Sequence, residues 1–465
     1  MLIKGKSMDK RIVFVAGTRP ELVKFLPVIV ALNKLEVSYC FVWSGQHYDY
    51  ELSRVFFEEL GLPEPDFDLD VRSGSHGEQT ARIVMGVERV LRGLSGGGVV
   101  VAEGDTNTVL GASLAAVKSG WLFGHVEAGL RSFNRVMPEE INRVIAGAVA
   151  NIHFAPSVCA VLNLLYEGVV PWRVHLTGNT IVDAVYGVLL RVRKRGEKTL
   201  EELGIDGEFG LVTLHRAENV DNPGRLKRIL SGLREASRET KLVFPMHPRT
   251  RKRLSEYNLW GLLEGSGIVV TKPLGYFEFL GLLSRAQLVF TDSGGVQEEA
   301  LTLAIPCITL RYNTERPETV WVGGNFLVGD DPKRIVEATK YVIEYRDRIV
   351  AKIRNTENPY GDGRAGIRIA EVLKEIVENE HEYKRYAYVE PDYRDLGQPT
   401  YALVNGDRFA GLSIKDIHRN YPGLIITLIY DEKGNPVIPY PDRTIKNGWK
   451  LRVWGPRKVV ESLFR

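Results

Sequence analysis

Three acidic positions follow short apolar runs in this chain: Asp105 in Gly104-Asp105-Thr106, Glu127 in Glu127-Ala128-Gly129, and Glu139 in Glu139-Glu140 after Pro138. Carboxylates set close together shift one another's pKa, which is how proton donors and acceptors are made from one side-chain type. A single Asp at such a place serves equally well as a helix cap. It is the recurrence at successive strand ends that suggests acid–base chemistry. His215, in Leu214-His215-Arg216, closes another apolar run and reads either as a buried structural histidine or as a group facing a crevice.

A second set of residues suits a diphosphate. Gly17-Thr18-Arg19-Pro20-Glu21 lies between a strand-like and a helix-like segment. It is either an ordinary turn or a helix N-terminus that, with Arg19, favours phosphate. Asp292-Ser293-Gly294-Gly295-Val296-Gln297-Glu298-Glu299 is more specific. Ser293, Gly294 and Gly295 open a helix and present backbone N–H groups to a pyrophosphate, with Glu299 placed for ribose hydroxyls. Arg316 in Thr314-Glu315-Arg316-Pro317-Glu318 supplies a second cation or a surface salt bridge. There is no Walker sequence and no Gly-x-Gly-x-x-Gly after a first strand, which counts against a nicotinamide enzyme.

These residues must be positioned by strands and helices, and the hydrophobic pattern supplies them. Ile12–Val15, Tyr39–Trp43, Gly98–Ala102 and Leu122–Val126 are strand-length and apolar, each followed by an amphipathic or glycine-containing stretch. That is the mark of a parallel sheet covered on both faces. A second alternation runs through Leu211–Leu214, Lys241–Phe244, Gly267–Val270, Leu288–Thr291 and Pro306–Leu310. The expected architecture is α/β, with two Rossmann-like lobes spanning 1–180 and 181–380 and a ligand site in the crevice between them. Residues 381–399 read as a linker rich in Tyr, Asp, Glu and Pro, and 400–465 as a small α+β domain.

Composition limits the function classes. A chain of 465 residues, 44% hydrophobic and 26% charged, is globular and has length for several domains. Lys plus Arg number 61 against 58 acidic residues, a net charge of +3 that provides no nucleic-acid surface. The cysteines, Cys40, Cys159 and Cys307, are too dispersed for a local zinc site or a disulfide framework, so no metal and a reducing compartment are expected. No run approaches the roughly 18 apolar residues of a membrane span. Ile12–Ala16 is too short for the core of a signal peptide, so the expected setting is cytoplasmic.

Taken in order, Gly17–Glu21, Gly45-Gln46-His47, Gly104–Thr106, His125–Leu130, Pro138–Arg143, Leu214–Arg216, Asp292–Glu299, Glu315–Glu318 and Asn358–Gly363 resemble the non-hydrolysing UDP-N-acetylglucosamine 2-epimerases, over about Arg11 to Glu380. The resemblance implies the two-lobe GT-B fold and no metal or nicotinamide cofactor. It also implies reversible inversion at C2, by elimination of UDP to 2-acetamidoglucal and re-addition. It places Asp105, Glu127 and Glu139 as acid–base carboxylates and His215 as a catalytic histidine near the diphosphate. Arg19, Lys24 and Arg316 would bind phosphates. Ser293, with Gly294 and Gly295, and Glu299 would hold phosphate and ribose, and Phe279 would lie near the uracil.

Bacterial members of that family use a second nucleotide sugar as activator, near positions matching Gln46, His47 and His247. Those three are kept here, whereas Asp49 and Arg72–Gly77 depart from the bacterial pattern. Gly45–Gly77 and Val126–Arg143 also resemble relatives acting on UDP-2,3-diacetamido-2,3-dideoxyglucuronic acid, the alternative substrate; a glycosyltransferase of the same fold is the alternative reaction. The tail, through Gly406–Ser413, Ile425–Tyr430, Pro439–Asp442 and Gly448–Leu451, resembles the TrkA-C (RCK-C) module of potassium-channel regulators. Such modules commonly dimerise and bind small ligands, so a homodimer and a small-molecule ligand of the tail are expected.

Overall fold

The computed structural model describes residues 11–45, 57, 60–94, 96–380, 399–421 and 423–464. The first sheet contains β1 (Ile12–Ala16), β2 (Cys40–Trp43), β3 (Phe67–Asp68), β4 (Val99–Glu103), β5 (Leu122–Val126), β6 (Ile152–Ala155) and β7 (Val174–Leu176). They are ordered β3-β2-β1-β4-β5-β6-β7, and all pairings are parallel. Every residue of β1, β2, β4, β5 and β6 is buried, which explains why these strands read as unbroken apolar runs: helices cover both faces.

The second sheet comprises β8 (Phe209–Thr213), β9 (Lys241–Pro245), β10 (Ile268–Thr271), β11 (Leu288–Thr291), β12 (Cys307–Thr309) and β13 (Asn325–Leu327). Its order, β10-β9-β8-β11-β12-β13, repeats that of the first sheet, again all parallel. In each sheet the chain leaves the first strand towards one edge and returns to build the other. The switch points therefore lie between β1 and β4 and between β8 and β11, where the ends of neighbouring strands open a natural ligand crevice.

The chain divides into two compact units, one reaching to Ala184 and resuming at Tyr360, the other Val185–Pro359. Residues assigned from sequence to the end of the second lobe thus fold with the first unit. Helix Ala365–Glu378 carries Gly366 against Pro27, where a Cβ would meet the Pro27 backbone at 2.6 Å. Asp183 accepts from the N–H groups of Ala365 (3.1 Å) and Gly366 (2.8 Å), fixing the start of that helix. The charged stretch Arg195–Glu202 is the last part of one continuous helix, Thr180–Glu202.

The tail forms its own antiparallel sheet, β14 (Pro399–Asn405), β15 (Ile425–Tyr430), β16 (Pro436–Val437) and β17 (Lys450–Pro456), in the order β14-β17-β15-β16. Helix Ile414–Asn420 packs on it through Ile414 and Ile417, and Ser413 caps that helix in a capping box with Asp416. The tail belongs to the first unit: Ile425 and Tyr440 share an apolar cluster with Ala128, Leu130, Leu164 and Leu176. Asp442 pairs with Arg364 (2.6 Å) and Arg368 (2.9 Å). Among the described residues no helix is long and apolar enough to cross a membrane, and no cluster of side chains could hold a metal ion.

Candidate active site

At the switch point of the first sheet, helix Arg19–Lys34 starts with Thr18 as cap and Glu21 as reciprocal partner. Glu21 Oε2 accepts from the N–H groups of Gly17 (2.6 Å) and Thr18 (3.0 Å), and its Oε1 from the Thr106 hydroxyl (2.6 Å). One carboxyl therefore ties the β1 loop to the β4 loop. Burial pushes it up to about 7 despite these donors. Arg19 sits on the first turn, partly exposed at the helix N-terminus, where cation and dipole both favour an anion.

Asp105 follows β4 after Gly104, whose φ of +84° suits glycine. Its Oδ2 accepts from Arg143 Nε (2.9 Å) and Nη2 (2.6 Å), while Arg143 Nη1 reaches Glu140 at 2.6 Å. Glu140 also accepts from the N–H groups of Ser132 (3.0 Å) and Phe133 (2.9 Å). Burial would raise its carboxyl, but these donors and Arg143 bring it below the usual range. So of the Glu139-Glu140 pair, Glu140 is the fully buried member fixed by Arg143. Glu139 stands partly exposed on the first turn of helix Pro138–Val149.

Glu127 leaves β5 in the left-handed region, φ +63°, a costly conformation for a residue with a side chain. What holds it there is polar: Asn179 Nδ2 donates to its Oε1 at 2.5 Å and Lys24 Nζ lies 2.7 Å away. Lys24, expected among the phosphate ligands, is buried between Glu127 and Glu103, the latter at 2.9 Å. His125 Nε2 donates to the Gly104 carbonyl at 2.8 Å, and burial lowers its pKa to about 4. It is a neutral prop beneath the loop.

The second unit repeats the design. Thr213 and Thr291 are level across β8 and β11, so Leu214 and Asp292 leave the sheet side by side. Asp292, fully buried, accepts from the backbone of His215 (3.1 Å) and Arg216 (2.9 Å) and from Asn219 Nδ2 (3.2 Å). His215 remains about one-third exposed, its Nδ1 3.6 Å from Asp292. Burial lowers its pKa, opposed by Asp292 and assisted by Arg216 and Arg249. The ring of His247 lies 5.5 Å from that of His215, centroid to centroid.

Ser293 is the N-cap of helix Gly294–Thr302, which carries Gly295 in its first turn and the buried Glu299 further on. A Cβ at Gly294 would stand 2.6 Å from Glu315 Oε1. Glu315 gathers Arg311 (2.9 Å), Arg316 (3.2 Å) and Arg216 (4.0 Å), and Arg316 also meets Glu298 at 3.2 Å. Three guanidinium groups thus crowd the start of this helix, set by buried carboxylates. Phe279 lies partly buried on helix Tyr276–Leu283. Burial, with the negative charge of Glu299 adding to it, raises the Tyr276 hydroxyl on that helix well above its usual range.

Asp105, Glu127, Arg19 and Lys24 therefore gather at the first switch point, with Glu139 on a nearby helix start, and His215, Ser293, Gly294, Gly295 and Arg316 at the second. Gln46 and His47 lie outside the described residues. The Arg72–Gly77 segment is a helix entry, where Ser75 and Glu78 form a capping box. A family model described as UDP-N-acetylglucosamine 2-epimerase matches residues 31–374. The chain belongs to that family.

Its relatives share the fold closely. A UDP-N-acetylglucosamine 2-epimerase from Methanocaldococcus jannaschii is 46% identical over 365 residues, covering 77% of this chain and 97% of that one. A UDP-2,3-diacetamido-2,3-dideoxy-D-glucuronate 2-epimerase from Pseudomonas aeruginosa is 39% identical over 372 residues, covering 79% and 100%. The crystal structure of the M. jannaschii enzyme in complex with UDP-GlcNAc and UDP matches with a TM-score of 0.72 at 45% identity, over 78% of this chain and 99% of that one. The 2-epimerase family match ends before the tail.

Glu103, Asn179, Arg143, Arg216 and Asp292 did not stand out as site residues from sequence. Asp292 and Glu103 could have been flagged, since each is a charged residue at the end of an otherwise apolar strand. Asn179, in Thr177-Gly178-Asn179-Thr180, comes to Glu127 only through the packing of β7 beside β6.

Proposed function

We propose that the chain is an isomerase that interconverts UDP-N-acetylglucosamine and UDP-N-acetylmannosamine. The observation that carries this reading is the pair of differently held carboxylates at one switch point, Asp105 on Arg143 and Glu127 on Lys24 and Asn179. Inversion at C2 needs proton transfer on both faces of the sugar, and the C2 proton is not beside a carbonyl. The C1–O bond therefore breaks as C2 loses its proton. The C–H electron pair becomes the C1=C2 bond of 2-acetamidoglucal, and the C–O pair leaves with UDP. UDP then adds back while a proton reaches C2 from the other face.

Asp105, Glu127 and Glu139 are the proton-transfer groups. Arg19, Arg216 and Arg316, with the N–H groups after Ser293, steady the diphosphate charge, and His215 serves beside it. Phe279 and Glu299 take uracil and ribose. Lys24 acts here through the carboxylates it touches. Gln46, His47 and His247 are the candidate activator residues.

Proton NMR in deuterium oxide tests the reading: UDP-N-acetylglucosamine alone should yield UDP-N-acetylmannosamine with deuterium at C2. Transfer to an acceptor with release of UDP would indicate a glycosyltransferase instead, and steady release of free N-acetylmannosamine a hydrolysing enzyme. The P. aeruginosa relative supports a second substrate, the 2,3-diacetamido uronate, and the same assay run with both sugars decides between them. The tail is read as a TrkA-C-like module that self-associates and takes a small ligand, on the strength of its compact sheet and capped helix. Light scattering on the full chain and on a chain ending at Glu380 tests the self-association. The wide spacing of Cys40, Cys159 and Cys307 along the sequence fits a cytoplasmic setting.

A further inference from the structure

Three charged side chains from three separate elements meet in the interior of the first unit. Glu103 ends β4, Glu127 follows β5, and Lys24 comes from helix Arg19–Lys34; all are under 10% exposed. Lys24 Nζ lies 2.9 Å from Glu103 Oε1 and 2.7 Å from Glu127 Oε1. The two carboxyl groups thus share one ammonium, and the charge of Glu127 disfavours ionisation of Glu103. Two carboxyl groups held on one cation away from water favour the form in which one of them is protonated, and a protonated carboxyl can donate to the other.

We propose that Glu103 is a positioning residue for the C2 proton transfer: it holds one proton in common with Glu127 across Lys24, and the proton's place on the pair decides whether Glu127 acts as acid or base. This rests on the epimerase reading for its use, though not for its existence. Two ionised carboxylates and one ammonium would leave a net negative charge buried. One shared proton makes the cluster neutral, which is how coupled buried pairs settle.

The neighbours reinforce this. Glu21 on the same helix and Asp105 after β4 are both acidic, Asp105 being paired with Arg143. Asn179 is a neutral donor. His125 on β5 is driven towards its neutral form by burial, and Arg131 is occupied by Glu167 at 2.6 Å. Burial is also the chief force raising the carboxyl of Glu103 well above its usual range, with Glu127 adding to it and Lys24 opposing. A reversible epimerase needs a group that is base in one direction and acid in the other. With the proton on Glu103, Glu127 is ready to accept from C2; with it on Glu127, ready to donate.

Infrared difference spectra in deuterium oxide at neutral pH, on protein without substrate, test the shared proton. Wild type against Glu103→Gln, and wild type against Glu127→Gln, should each lose one protonated-carboxyl stretch, because in either variant Lys24 is left with a single ionised partner. A Glu127→Gln spectrum that keeps the full wild-type protonated-carboxyl intensity shows Glu103 protonated by burial alone and overturns the proposal. So does a Glu103→Gln spectrum identical to wild type. If Glu103→Gln does not fold, the Glu127→Gln spectrum decides alone.

In turnover, Glu103→Gln should shift the Glu127 limb of the kcat profile towards acid by about one pH unit or more, with KM little changed. A uniform loss of kcat at every pH would mark Glu103 as merely structural and overturn the proposal. Failure of the epimerase reading would show separately, as absence of C2 deuteration with the spectra unchanged.

Discussion

Asp105 and Glu127 are both carboxylates just past the end of a strand, yet their surroundings prepare them differently. Asp105 is gripped by a two-pronged guanidinium and keeps about a quarter of its side chain in solvent; Glu127 is buried beside an ammonium and a second carboxyl. Asp105→Asn, or Glu139→Gln, should lower kcat by about a hundredfold or more while UDP affinity, read by calorimetry, stays within about threefold. A matching loss of UDP binding would contradict the roles assigned. Arg143 is the residue on which two acids depend. Replacing it by Met leaves Glu140 buried without its cation, and unfolding by denaturant should show about 3–5 kcal/mol lost. The carboxylates, the histidine and the Ser-Gly-Gly turn were legible from residue type and place in the sequence. Glu103 carries a weaker mark, an acid closing an apolar strand, and its place in the site shows only once Lys24 and Glu127 are seen beside it.

At the scale of elements, strands with unbroken apolar runs were the readable part. β6 and β7, with their interior histidines His153 and His175, were overlooked, as were the short β3 and β13. Burial explains the histidines: those in β5, β6 and β7 are all pushed towards the neutral form, in which they behave as core residues. Candidate site residues lie at helix starts in both units. Gly294 admits the buried Glu315 against the first turn of its helix, and Glu315 cannot retreat because three arginines hold it. Gly294→Ala should therefore disturb the diphosphate half-site, weakening UDP binding by about tenfold, or about 1.4 kcal/mol, in a chain that melts as wild type does. Unchanged UDP affinity would remove this helix start from the binding site.

For the molecule as a whole, the tail is joined to the rest of the first unit by apolar packing and by Asp442 on Arg364 and Arg368. Burial takes His175 and His418 down to about 4. Unfolded histidines bind protons from about 6.5 downwards, so between about pH 6.5 and 4 the unfolded chain takes up more protons and this contribution to stability is lost as pH falls. Glu21 runs the other way. Its folded value of about 7 means that its contribution is complete below 4.5 and fades as pH rises through 7. Denaturant midpoints measured across pH 4–7 should fall less steeply towards acid in His418→Gln than in wild type; an identical slope would show that His418 does not contribute.

The return of the chain at Tyr360 has a consequence for synthesis. Val185–Pro359 is continuous and can fold as soon as it leaves the ribosome, whereas the first unit, begun earlier, lacks Ala365–Glu378 until all of Val185–Pro359 has been made. Until then Pro27 and the carboxylate of Asp183 wait without their partners. The unit begun first is thus the unit completed last, since its closing helix follows the whole of Val185–Pro359.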